Sequence, residues 1–181
     1  IKNAGLDQSE SLDTIIGSIE DNFDLSKLSL FDELSQEKLG VLSPNEVCFV
    51  KLDKSQAIKD SCDNSNDFSS HLINIQLYLS SLIGKFENRK STKLPVKLND
   101  TPKCAPTLVA TSRRCKCLKE HIKITPGDGI FTSNGKELDI SDIEFDKSGS
   151  SKTEMVIRNN HINTVTKNLQ KTREELILNL T

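Results

Sequence analysis

The sequence has no tryptophan, one tyrosine, one methionine and three histidines. It also has no long apolar run. The nearest approach, Phe68 to Phe86, is broken repeatedly by Ser, His, Asn and Gln, whereas a membrane-spanning helix needs about 18 or more apolar residues in succession. A transmembrane helix is therefore not expected. The first residue is Ile and the opening is polar, so no secretory signal is expected within the sequence. Five cysteines are an odd number, which argues against a disulfide scaffold and for reduced thiols. Neither a Gly-x-Gly-x-x-Gly nor a Gly-x-x-x-x-Gly-Lys-Ser/Thr stretch occurs, so no nucleotide cradle and no bound cofactor are expected here. No nucleophile stands in a local frame with a base, and no catalytic residue is assigned.

What the chain does have is uneven charge. Residues 1–80 hold 6 basic and 14 acidic side chains, residues 81–124 hold 11 and 3, and residues 125–181 hold 7 and 9. A basic block between acidic ends attracts phosphate backbones. Phe86 is the one aromatic inside that block, so contact with a duplex backbone fits better than stacking on bases.

Periodicity predicts the elements. Leu12, Ile15, Ile16 and Ile19 predict a helix over 10–21, and Leu28, Phe31, Leu34 and Leu39 a second over 25–39, stopped at Gly40. Residues 46–52 read as a strand or buried connector, and 54–66 as polar loop with room for one helical turn. Leu72, Ile75, Leu79, Leu82, Ile83 and Phe86 predict a long helix over 67–87, with Asp67 as its cap. Residues 88–106 hold three prolines and read as a linker with a short strand at 94–98. Strands are expected at 107–111, 138–145 and 155–157, turns at 125–129 and 133–135, and a flexible loop at 147–152. Ser112 can cap a helix over 113–122, and a last helix runs from Asn159 with Ile162, Val165, Leu169, Leu176 and Leu180 on one face. The fold class expected is mainly α with a small β portion. It divides into a helical core and lever segment (1–93), a clamp-like α+β segment (94–158) and a returning lever helix (159–181). A chain that opens without Met and ends inside an apolar stripe reads as a segment of a longer polypeptide.

Cys104, Cys115, Cys117 and His121 are ligand types that zinc accepts. Cys115 and Cys117, however, lie about 200° apart around a helix, which opposes joint ligation, so no metal is expected. His71 and His161 fall in helices and read as capping or solvated. The strongest local signal is Thr111-Ser-Arg-Arg-Cys-Lys-Cys-Leu-Lys119, a strand end followed by a helix with four cations. Leu118 and Ile122 would dock that helix while its cations meet phosphates.

These residues resemble a known family. Gly5-Leu-Asp7 followed by Leu12-Asp13 looks like the "Gly-x-Asp-x-x-Leu-Asp-x-Leu" entry to the helical core of MutS mismatch-repair proteins. Leu108-Val-Ala-Thr111 with Arg113, Arg114 and Leu118-Lys119 resembles the strand and basic helix that open the MutS clamp, and Ser151 to Asn160 is similar to the clamp's exit. The family's Gly-Tyr/Phe-Tyr/Phe run is absent, and Pro106-Thr107-Leu108 stands in its place. The low aromatic and high Ser/Asn content is similar to the branch found in octocoral mitochondria. The resemblance implies a core, lever and clamp segment that grips double-stranded DNA through its backbone. It implies a homodimeric mitochondrial parent that binds mismatched DNA and uses ATP and Mg at an ATPase outside this segment. The DNA contacts expected on it are Arg113, Arg114, Lys116, Lys119, Lys123, Lys147 and Lys152. The alternative is a helical protein-interaction scaffold without a nucleic-acid role.

Overall fold

The computed structural model describes residues 6–28, 46, 48–85, 87, 93–101, 104–124, 130–133, 135–148 and 153–180, and for 6–11, 123 and 124 the backbone alone. The fold is mainly α with a small antiparallel β portion. Among the described residues, the helices with complete bounds are α1 (Leu6–Asn22), α2 (Gln56–Gly84), α3 (Ser112–Ile124) and α4 (Asn160–Leu180). A four-stranded sheet combines β1 (Lys97–Thr101), β2 (Cys104–Thr111), β5 (Glu144–Lys147) and β6 (Glu154–Arg158) in the order β1-β2-β6-β5. A separate hairpin pairs β3 (Ile130–Ser133) with β4 (Lys136–Asp139).

Helices α2 and α4 run antiparallel, with Ser61 near Asn179 toward one end and His71 against His161 further along. The main core lies where they meet the sheet and α3. Leu72, Ile75, Leu79 and Ile83 from α2 close on Leu108 and Ile157 from the sheet, Leu118 from α3, and Ile162 and Leu169 from α4. That cluster draws on all three expected segments, so the boundaries near 93 and 158 fall between elements of one continuous core. A second cluster holds Cys48, Phe49, Ile58 and Cys62 against Leu176 and Leu180.

Four expectations are corrected. Residues 54–66 are not loop: α2 begins at Gln56, with the Ser55 hydroxyl accepting from the Ile58 N–H. The Ser, Asp and Asn there are poor helix formers, but Ile58 and Cys62 bury against the end of α4, and this packing overrides propensity. Asp67 is consequently no cap; it sits inside α2 and pairs with Lys136 at 2.9 Å. The proline-rich stretch holds more strand than the short piece expected at 94–98: β1 runs over Lys97–Thr101, and β2 begins at Cys104, ahead of the strand expected at 107–111. Pro106 is buried within β2, and pairing with β1 shifts register between Asn99 and Thr101, next to the place where proline has no N–H to offer. Residues 138–145 do not form one strand. The Asp139 carboxylate accepts from both the N–H and hydroxyl of Ser141 (2.8 and 2.6 Å), winding 140–142 into a 3₁₀ turn between β4 and β5.

The remaining elements agree with the periodicity. The Asn159 side chain accepts from the N–H groups of His161 and Ile162, starting α4. Gly135, at φ 70°, supplies the left-handed residue that the tight turn between β3 and β4 requires. Beyond residue 28, the predicted 25–39 helix lies outside the described residues, as do the 125–129 turn and Phe86. No helix among the described residues is long and apolar enough to cross a membrane.

Candidate nucleic-acid interface

Helix α3 follows β2 without a break, and the Ser112 N–H and hydroxyl both donate to the Thr153 carbonyl, tying its start to the entry of β6. Cys115 and Leu118 are 2% and 1% exposed and face the core. Burial pushes the Cys115 thiol up to about 11, which keeps it neutral. With about 100° per residue, that buried face fixes where the cations go. Arg114 falls on one flank, and Lys116 and Lys119 on the other.

The two flanks differ chemically. The Arg114 guanidinium forks onto both Glu87 oxygens at 2.9 and 3.0 Å and donates to the Pro95 carbonyl at 3.3 Å. Arg114 holds the Glu87 carboxyl below its ordinary range, and Glu87 in turn raises Arg114. This pair ties α3 to the end of α2, so Arg114 is committed within the fold. Arg113 is exposed, with Glu87 in its field. Lys116 and Lys119 are exposed and make no hydrogen bond or ion pair with any described residue.

A further exposed cation, Lys147, lies 28 residues further along the chain. It is exposed on β5 and pairs in register with Met155, while Phe145 pairs with Ile157. Alternation along a strand then places Lys147, Phe145 and Met155 on one face of the sheet. Between that face and α3 lies a cleft of about 370 Å³ lined by Lys116, Lys119, Ile143, Glu144, Phe145 and Met155, among others. The cleft therefore gathers Lys116 and Lys119, Lys147 lies on the strand face that carries Phe145 and Met155, and Arg113 is exposed on the same helix. The side chain of Lys123 and the whole of Lys152 lie outside the described residues. Sequence reasoning missed Phe145, which supplies an aromatic that the basic block lacks near its own helix. The signal was only the partial alternation that ends at residue 145.

The histidines correct another expectation. His71 is fully buried and His161 half-buried, with their Nε2 atoms 2.7 Å apart across α2 and α4. One ring donates and the other accepts. Burial lowers both, with Lys136 adding to this and Asp67 opposing it at His71. As for the thiols, Cys104 is exposed at the start of β2 and Cys115 is buried. No group of three metal-ligating side chains is gathered among the described residues.

Compared with known proteins, the chain matches no family model and no curated sequence.

Proposed function

We propose that this chain is a DNA-gripping module of a MutS-like protein, in which α2 and α4 act as levers and α3 with the sheet acts as the clamp end. The observation that carries the reading is the pair of exposed lysines Lys116 and Lys119 beside one cleft on α3, with Lys147 on the strand that gives Phe145 to that cleft, none of the three paired with a described residue. Exposed cations held on a docked helix and a strand edge neutralise phosphates without reading bases. Arg113 adds a fourth charge. Arg114 serves the interface indirectly by fixing α3 to α2. In this reading the parent protein is a homodimer that recognises mismatched DNA, acts in mitochondria, and binds ATP and Mg at an ATPase elsewhere. The segment itself carries out no catalysis and holds no cofactor.

The test is anisotropy of a labelled duplex at about 50 and about 200 mM salt. Four phosphate contacts at roughly 0.9 counterions each predict about a hundredfold weaker binding at the higher salt. Lys116→Glu with Lys119→Glu should abolish binding while leaving thermal unfolding in place. Equal affinity for the parent chain and this double variant would end the proposal.

A specific observation favours the second reading, a protein-interaction scaffold. Leu12, Ile15, Ile16 and Ile19 on α1 are 41–58% exposed, in a helix with no basic residue. That reading predicts a stable oligomer or protein complex and duplex affinity insensitive to Lys116 and Lys119.

A further inference from the structure

The cleft beside α3 has more than charge to offer. Its lining combines the apolar side chains of Ile143, Phe145 and Met155 with the two cations Lys116 and Lys119; Glu144, next to Phe145 on β5, turns its side chain to the other face of the sheet with Asp146 and Arg158. A volume of about 370 Å³ sits at the small end of ligand clefts, enough for one flat ring system with a short substituent. Lys116 and Lys119 lie about 4.5 Å apart along the helix axis, so one anionic group can meet both ammonium groups.

The occupant must then combine an apolar body and an anion, and the Phe145 ring favours a flat aromatic body over an alkyl chain. An inorganic phosphate leaves the apolar lining uncovered. A nucleotide has both parts: a base that stacks on an aromatic ring, and a phosphate.

We propose that this cleft receives one unpaired nucleotide of a bound DNA strand, its base against Phe145 and Met155 and its phosphate between Lys116 and Lys119. The inference rests on the DNA-gripping reading for the source of the nucleotide, and adds to it a base-binding site at the edge of a backbone grip. A bulged or frayed nucleotide beside the gripped duplex is captured, while fully paired DNA engages the lysines alone.

The chain's single methionine is Met155, so its methyl group gives one unambiguous NMR signal from the cleft floor. Titrating the full chain with adenosine 5′-monophosphate should shift that signal by the ring current of the base. Inorganic phosphate and ribose 5-phosphate should leave it unmoved. Lys116→Gln with Lys119→Gln should weaken the nucleotide about tenfold or more. In parallel, a duplex with one unpaired adenosine should bind about fivefold or more tightly than the fully paired duplex, the least that one stacked base contributes. Phe145→Leu, which keeps an apolar floor but removes the ring, should erase that advantage. A methyl signal silent to the nucleotide, or shifted equally by phosphate, overturns the site even if both duplexes bind. Equal affinity for the two duplexes also overturns it. A methyl response with neither duplex bound removes the DNA-gripping reading and leaves the cleft as a nucleotide site.

Discussion

The packing around α2 and α4 and the cleft beside α3 treat polar groups in opposite ways. Along the two long helices, several polar side chains are matched in pairs, though Ser65 Oγ, His71 Nδ1 and Arg173 Nε are buried without a partner. His71 meets His161, Asn74 donates to Ser133 at 2.9 Å, and Arg173 forks onto Asp100 at 2.9 and 3.0 Å. These contacts lie where water is scarce, and an unmatched group there costs more than a matched one contributes. Beside α3 the cations are left open to solvent, where an unmatched charge costs little and stays available. The seam uses its polar groups within the fold, while the cleft leaves its cations open to solvent. The same contrast exists within α3, between Arg114 on one flank and Lys116 and Lys119 on the other.

The largest effect that would sharpen this contrast is expected at the histidines. His161→Ala removes the partner of a fully buried ring whose Nδ1 is already unpaired, and should cost about 1–3 kcal/mol in urea unfolding. His161→Gln retains a hydrogen-bonding group and should recover part of the loss. Stability unchanged in His161→Ala would mean that the pairing along this seam is incidental.

Acid should act on the same pair. Both histidines are held below their ordinary value of 6.5, chiefly by burial. The unfolded chain therefore takes up protons before the folded one. Their stability contribution is complete above about pH 6.5 and is lost as pH falls through the lowered folded values, at no more than about 1.4 kcal/mol per pH unit for each histidine. Replacing both with Gln should flatten the unfolding midpoint across that window.

A smaller loss is expected at Arg114. Arg114→Met keeps the apolar stem but leaves Glu87 without its fork, costing about 1 kcal/mol because both groups are partly exposed. Duplex affinity should fall less than for the lysine pair, since this guanidinium is already committed to Glu87.

How much of this was readable follows from how far apart the partners lie. Helices α1, α3 and α4 and strand β6 were legible because their signals are local: apolar spacing, Ser112 and Asn159 at helix starts, a short β-branched run. The start of α2 was not, because its Ser, Asp and Asn describe a loop until Ile58 and Cys62 find Leu176 and Leu180 more than a hundred positions away. Strands β1 and β2 were read in part, at 94–98 and 107–111, and their full extents were obscured by prolines that the sheet accommodates at a register shift. The site was half legible. Lys116 and Lys119 stand out in any reading of residues 113–123, and Arg114 could have been set apart, since it lies four residues before buried Leu118. Phe145 and the His71–His161 pair could not be placed, because only the folded topology brings residues 26 and 90 positions apart into the same region.

The smallest stability effect is expected where the functional effect is large. Lys116→Gln with Lys119→Gln removes two exposed side chains that pair with no described residue, so unfolding should change by less than about 0.5 kcal/mol. If they meet phosphates, the dependence of log affinity on log salt should lose about two units of slope. If the slope holds, the lysines are solvated surface like any other, and the distinction between a seam that holds and a cleft that binds has no functional meaning. If the slope falls while the unfolding curve stays put, the charge was placed for a partner outside the fold. No interaction within the chain then accounts for its position. Arg114→Met tested beside it should show the reverse pattern, and the two together separate cations that build α3 from cations that use it.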